Sequence, residues 1–166
     1  MPKRPANTLM SGGCQCGAVR YALTAKPTNP GICYCRMCQK AFGSYFAPLA
    51  GVRMAELVWT RGQPGTFQSS EAAERGFCRD CGTPLTYRVH ERDRISVSIG
   101  SLDDPDFAEP VEQDGMEERR AILDRLAALP GSRTEDSASP ELLARMRSRQ
   151  HPDYDTDAWP LAEHRP

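Results

Sequence analysis

A chain of 166 residues has room for one domain with an apolar core and too little for two packed ones. No apolar run of about 18 residues occurs and none of about seven follows Lys3 and Arg4, so the expectation is a chain without membrane span or signal peptide. The formal charge of −1 divides unevenly, with 13 Lys and Arg against 6 Asp and Glu in residues 1–102, and 8 against 16 in residues 103–166; that acidic part and the lack of a basic run argue against a nucleic-acid partner.

Val19, Tyr21 and Leu23 alternate with Arg20, Ala22 and Thr24, the period-two pattern of a strand with one face to bury. Leu57 and Trp59 suggest a further strand, leading through the turn signal Arg61-Gly62-Gln63-Pro64-Gly65 to Phe67. Leu85, Tyr87 and Val89 repeat the alternation, as do Ile95, Val97 and Ile99. Strands punctuated by Gly and Pro, with no long helix among them, predict antiparallel sheets and no βαβ units.

Past Leu102 the pattern changes. Ile122, Leu126 and Leu129 share one helical face with Leu123 beside it, which predicts a helix over Met116 to Leu129. Asp114 would cap it, Glu117 lies three residues on, and Pro130-Gly131 would stop it. A second short helix is expected from Ser139, with Pro140 at its first position and Leu142, Leu143 and Met146 buried. The stretch from Gln150 to Pro160 reads as irregular, with Tyr154 and Trp159 as anchors. The expected fold class is mainly β, with one or two short helices in the C-terminal part.

The chemistry lies in seven cysteines, grouped as Cys14-Gln15-Cys16, Cys33-Tyr34-Cys35-Arg36-Met37-Cys38 and Cys78-Arg79-Asp80-Cys81. An odd count would leave one thiol over in a secreted disulfide framework, so the clustering points to a reducing, cytoplasmic setting in which thiolates hold metal. Zinc takes sulfur ligands at about 2.3 Å, and two sulfurs one or two residues apart can grip it from a single turn. Gly17 and Gly82 each follow a cysteine pair, where a glycine frees the backbone to turn and is expected to aim its amide at a sulfur.

A closed structural zinc wants four ligands, which leaves three of the seven. One partition joins Cys14, Cys16, Cys78 and Cys81 and leaves Cys33, Cys35 and Cys38 around a second ion with an open position. Another makes a zinc ribbon of Cys35, Cys38, Cys78 and Cys81, with the others as spectators. Spacing alone leaves both open. In the first, zinc with its thiolates adds −2 and −1, lowering residues 1–102 from +7 to +4, a charge that suits a small anionic ligand.

Simpler readings compete with some of these residues. A thioredoxin-like role for Cys78 and Cys81 lacks the βαβ pattern it needs. His90, His151 and His164 have no i, i+4 partner and read as surface or hydrogen-bonding histidines, although the tail could bring His151 to a site. Arg36, Lys40, Arg75 and Arg79 flank the cysteines, either to damp thiolate charge or to contact an anionic substrate. Gly43, Ser44 and Phe46 read either as turn and core residues or as the entrance to a site.

Three segments, Gly13-Cys14-Gln15-Cys16-Gly17-Ala18-Val19-Arg20-Tyr21, Cys33-Tyr34-Cys35-Arg36-Met37-Cys38-Gln39-Lys40 and Phe77-Cys78-Arg79-Asp80-Cys81-Gly82-Thr83-Pro84-Leu85, resemble the family of glutathione-dependent formaldehyde-activating enzymes and centromere protein V. Gly100-Ser101-Leu102-Asp103-Asp104-Pro105 also follows its pattern. The resemblance implies a β-tent, antiparallel sheets organised around zinc, over residues 11–115, with 116–166 as a helical and irregular extension packed on the same domain. It implies two Zn²⁺ per chain: a structural ion on Cys14, Cys16, Cys78 and Cys81, and a second, open one on Cys33, Cys35 and Cys38. After Pro110 the chain departs from the family's ending.

The activity implied is that of a zinc-dependent carbon–sulfur lyase acting on a small thiol adduct, such as S-hydroxymethylglutathione formed from glutathione and formaldehyde. Three thiolates leave zinc a weaker Lewis acid than three histidines would, suited to gathering a substrate thiolate that adds to a carbonyl. The partner implied is a small anionic thiol such as glutathione. The alternative, by analogy with centromere protein V, is a non-catalytic zinc module for a protein or nucleic-acid partner.

Overall fold

The alternating segments become strands of two sheets in the computed structural model, which describes residues 4–160. In chain order the elements are β1 (Met10–Gly13), β2 (Arg20–Leu23), β3 (Thr28–Cys33), α1 (Arg36–Phe42), β4 (Ala47–Arg53), β5 (Leu57–Arg61), β6 (Gly65–Ser70), β7 (Ala73–Phe77), β8 (Pro84–Val89), β9 (Arg94–Ser98), β10 (Glu112–Asp114) and α2 (Pro140–Arg145). The small sheet runs β1-β2-β5 and the large one β10-β3-β4-β9-β8-β7-β6. Neighbours are antiparallel except β10, which lies parallel to β3 at one edge. This is the mainly β, tent-like class expected.

The core fills the space where the sheets meet. Tyr21 and Leu23 of β2 pack with Ala50 and Val52 of β4, Leu85 of β8, and Ile95 and Val97 of β9, and Cys14 and Cys78 belong to the same cluster. Each large side chain taken from water here stabilises the fold by about 1.5–3 kcal/mol. Tyr21 meets Trp59 edge-on, with ring centroids 5.8 Å apart, and its hydroxyl lies 2.7 Å from Ser101 Oγ. Cysteines built into such a core would tie any metal they hold to folding.

The pleat sends alternate residues to the other face of the large sheet. Cross-strand register aligns Thr28, Gly51, Ser96, Tyr87 and Arg75 in one row over β3, β4, β9, β8 and β7. The core partners Ala50, Val52, Ile95 and Val97 occupy the intervening positions, so this polar row floors a second space on the outer face.

Four expectations need correction. β2 is buried at all four positions, because the Arg20 side is covered by Asp103 and by Asp155 of the tail. The region from Met116 to Leu129 is not an α-helix but two 3-10 segments, Met116–Glu118 and Ala121–Ala128. Leu126 and Leu129 remain 41% and 53% exposed, and without a surface to bury its apolar face a helix this short is marginal. Helix α2 is capped by Ser139 Oγ as expected, yet Leu142 and Met146 are exposed. Finally, α1 forms where no helix was anticipated, and it carries Cys38.

Candidate metal centres

Two turns bring the outer cysteine pairs together. In the turn between β1 and β2, Cys14 N donates to Val19 O over 3.0 Å and Gly17 N donates to Cys14 O over 3.0 Å. In the turn between β7 and β8, Cys78 N donates to Thr83 O over 2.9 Å and Gly82 N donates to Cys78 O over 3.0 Å. The two loops share the bond from the first cysteine's amide to the carbonyl five residues on, while the glycine amide reaches back three residues in one and four in the other, and the sulfurs of each project toward the other. Gly17 and Gly82 take φ of 78° and 76°, the left-handed conformation that glycine adopts without penalty. Their amides bond to carbonyls, not to sulfur as expected; in the first turn it is Val19 N that donates to Cys14 Sγ, over 3.2 Å.

The sulfurs of Cys14, Cys16, Cys78 and Cys81 all lie within 4.8 Å of one another. Measured edges are 3.5 Å between Cys14 and Cys16 and 3.8 Å between Cys16 and Cys78. A tetrahedron of sulfurs about 2.3 Å from zinc has edges of about 3.8 Å, so the arrangement fits a four-coordinate ion. The separations are far longer than a disulfide, and all seven cysteines are free. Thr83 braces the pair of turns, its hydroxyl accepting from Gln15 N at 3.0 Å and lying 3.1 Å from Cys81 Sγ.

Burial pushes the Cys16 thiol well up and that of Cys78 to about 11. For Cys81 burial acts in the same direction but is outweighed by bonds from Thr83 and Cys16, which bring it down to about 6. Cys81 is thus ready to ionise, and a cation would displace the protons of Cys16 and Cys78.

The sulfurs of Cys33, Cys35 and Cys38 form a second group within 4.8 Å. Cys33 ends β3, Cys35 is the N-cap of α1 with its sulfur accepting from Cys38 N at 3.4 Å, and Cys38 stands in the first turn. Cys38 is held below the ordinary thiol range, first by the Cys33 thiol and, against burial, by the guanidinium of Arg75; its proton-donating partner Cys33 is raised. The group borders a cavity of about 540 Å³ on the outer face of the large sheet, with Arg75, Tyr87, Arg92 and Arg94 among its walls. From the β10 edge come Glu112 and Asp114. Gly43 and Ser44 instead line a separate groove with Arg36, Lys40 and Arg120, and Phe46 packs edge-on against Tyr34.

The ribbon partition, pairing Cys35 and Cys38 with Cys78 and Cys81, finds no support in these sulfur groups. A sequence profile of the glutathione-dependent formaldehyde-activating enzymes matches residues 9–117. The chain belongs to this family. A protein of Halomonas elongata that carries that name provisionally is 27% identical over 113 residues, or 63% of this chain and 72% of the relative. A crystal structure of a Rhodobacter sphaeroides protein aligns with a TM-score of 0.49 at 26% identity, covering 63% of this chain and 99% of that one.

Beyond the stretch matched to the formaldehyde-activating family, the tail returns to the four-cysteine turns. His151 is buried but belongs to neither sulfur group; its backbone N donates to Gln15 O over 2.7 Å, and its Nε2 lies 3.2 Å from Arg61 and 3.0 Å from Thr156 Oγ1. Trp159 Nε1 donates to Cys16 O over 2.7 Å. His90 is at the surface against Gln68, and His164 lies outside the described residues. Among the described residues no helix is long and apolar enough to cross a membrane.

Proposed function

We propose that the chain is a zinc-dependent enzyme of carbon–sulfur lyase type that joins a small anionic thiol to formaldehyde and reverses the step, with glutathione as the thiol. Cys14, Cys16, Cys78 and Cys81 would hold a structural Zn²⁺, and Cys33, Cys35 and Cys38 a second one with an open position. The observation that carries this reading is three sulfurs converging at the edge of a cavity walled by Arg75, Arg92 and Arg94. The family name supports the choice of glutathione and formaldehyde.

Zinc at the three cysteines would supply a place where a thiol sheds its proton and is held as thiolate. The rest falls to the chain's own residues. Arg92 and Arg94 offer cations to the carboxylates of a glutathione-like ligand, and Glu112 and Asp114 offer anions to an ammonium. In the forward direction the thiol sulfur bonds to the carbonyl carbon while the thiol proton passes to the carbonyl oxygen; the reverse breaks that C–S bond. No oxidant enters. Seven free thiols suit a reducing, cytoplasmic setting, and the contacts of His151 and Trp159 support residues 116–166 as an extension of the zinc-binding domain.

Thiol and formaldehyde combine unaided, so product formation decides nothing. Replacing zinc with Co²⁺ and titrating glutathione should intensify the sulfur-to-cobalt charge-transfer band in wild type and leave it unchanged in Cys35→Ser. NMR at equilibrium should show thiol–adduct exchange faster than in buffer. An unchanged spectrum with exchange at the buffer rate would refute the assignment.

A further inference from the structure

Of the four cations flanking the cysteines in sequence, only Arg75 reaches a sulfur. Arg36 and Lys40 line the groove on the other side of α1, where Arg36 donates to Gln39, and Arg79 lies against Gly65. Arg75 is only 8% exposed. Its Nη2 donates to Cys38 Sγ over 3.3 Å, its Nε donates to Ser69 Oγ over 3.0 Å, and its guanidinium carbon sits 4.9 Å from the centroid of the Tyr87 ring. Nη1 is buried with no hydrogen-bond partner, and no carboxylate lies within ion-pair distance of Arg75 among the described residues. A cation buried this way is costly unless an opposite charge faces it. Glu112 and Asp114 border the same cavity but make no ion pair with Arg75, and among the described residues the ionisable group to which it donates a hydrogen bond is Cys38 of the three-cysteine cluster.

The charge arithmetic makes this specific. Three thiolates with a divalent ion carry −1, and an incoming substrate thiolate raises this to −2 in a cavity partly shielded from water. We propose that Arg75 is the fixed counter-charge of the three-cysteine centre, a positioning residue that holds the Cys38 thiolate and lets the centre accept a fourth, anionic sulfur ligand. The cross-strand row places it there: β7 aligns Arg75 with Tyr87, whose ring face carries the guanidinium over the cavity floor toward α1. The inference rests on reading Cys33, Cys35 and Cys38 as a metal centre, but does not depend on glutathione or formaldehyde.

The test uses full-length protein loaded with two Co²⁺ and titrated with 2-mercaptoethanol, a thiol with no carboxylate for Arg92 or Arg94 to attract. An opposite charge within about 4–6 Å favours a charged form by one or more pKa units, a factor of about ten in binding. Arg75→Gln, which removes the charge and keeps an amide donor, should therefore bind the thiol about tenfold more weakly, while Arg75→Lys stays within about threefold of wild type. Arg75→Met, which can still pack on Tyr87, serves if the Gln variant folds poorly, and should show the same loss. The four-cysteine band and the thermal midpoint should not move. Gln or Met variants that bind the thiol like wild type, or that lose both centres together, overturn the role of Arg75. A wild type that takes up only one Co²⁺, or two without responding to thiol, overturns the open metal centre itself.

Discussion

The imidazole of His151 occupies the space above Gly17, where an added Cβ would overlap the ring. Gly17 thus answers two demands, a left-handed φ of 78° and room for the tail, whereas Gly82 has φ of 76° with nothing within 4 Å of the same position. Gly82→Ala should therefore cost only the conformational penalty, about 1–2 kcal/mol. Gly17→Ala should cost more, because the tail must also lift off its turn. Chemical denaturation of both variants at equal metal content checks this, and equal losses would show that the His151 contact contributes nothing.

Burial holds His151 below its ordinary range, and the charges of Arg20 and Arg61 act the same way against a carbonyl contact from Pro152 and the charge of Asp103. A histidine with a folded-state value below the unfolded one binds fewer protons when folded. Its contribution is complete above the unfolded value of about 6.5 and declines as pH falls from there toward the folded value. The tail should loosen as pH drops below about 6.5, seen as exchange broadening of the Trp159 indole N–H by NMR while metal content stays constant. His151→Gln should abolish that pH dependence.

Strand β9 of the large sheet is visible in the alternation of Ile95 and Val97, because those positions do bury one face, although Ile99, which continues the pattern, is buried in a 3-10 turn beyond the strand's end. The cysteine groups stand out for a similar reason: their spacing is local, one turn per pair. What sequence conceals is what depends on distant partners. The Met116–Leu129 pattern promised a helix, but its apolar face finds no core, and Leu126 and Leu129 stay exposed. Conversely, α1 begins on a thiol, Cys35, instead of the hydroxyl or carboxylate caps that signal a helix start. Arg75 meets Cys38 across 37 positions, and Trp159 meets Cys16 across 143. No spacing rule predicts either contact.

Arg20 shows how the tail and the body share one buried cation. Its Nη1 and Nη2 donate to the two oxygens of Asp103 over 2.7 and 2.6 Å, and its Nε donates to Asp155 over 3.0 Å. Asp103 is 10% exposed and Asp155 24%, against 3% for Arg20. Removing one member of a buried pair typically costs about 3–5 kcal/mol, so Asp103→Ala should approach that figure. Asp155→Ala, nearer the solvent, should cost about 1 kcal/mol. Urea denaturation of the two variants orders them, and the reverse order would mean that the tail contact carries the cation.

The two cysteine groups should respond differently to mutation because only one joins distant parts of the fold. Cys14 and Cys16 belong to the turn leading into β2 of the small sheet, and Cys78 and Cys81 to the turn between β7 and β8 of the large one, with Cys14 and Cys78 inside the core cluster. Apparent zinc affinities at structural sites amount to about 10–16 kcal/mol, comparable to the whole stability of a domain this size. Cys14→Ser or Cys81→Ser should thus unfold the protein or leave it insoluble, and a strong chelator should do the same to wild type. Cys33, Cys35 and Cys38 come from one short segment, so Cys35→Ser should lose a single ion and remain folded. Native mass spectrometry gives the ion count and circular dichroism the fold. A Cys35→Ser protein as disordered as Cys14→Ser would mean that the three-cysteine group, too, is structural.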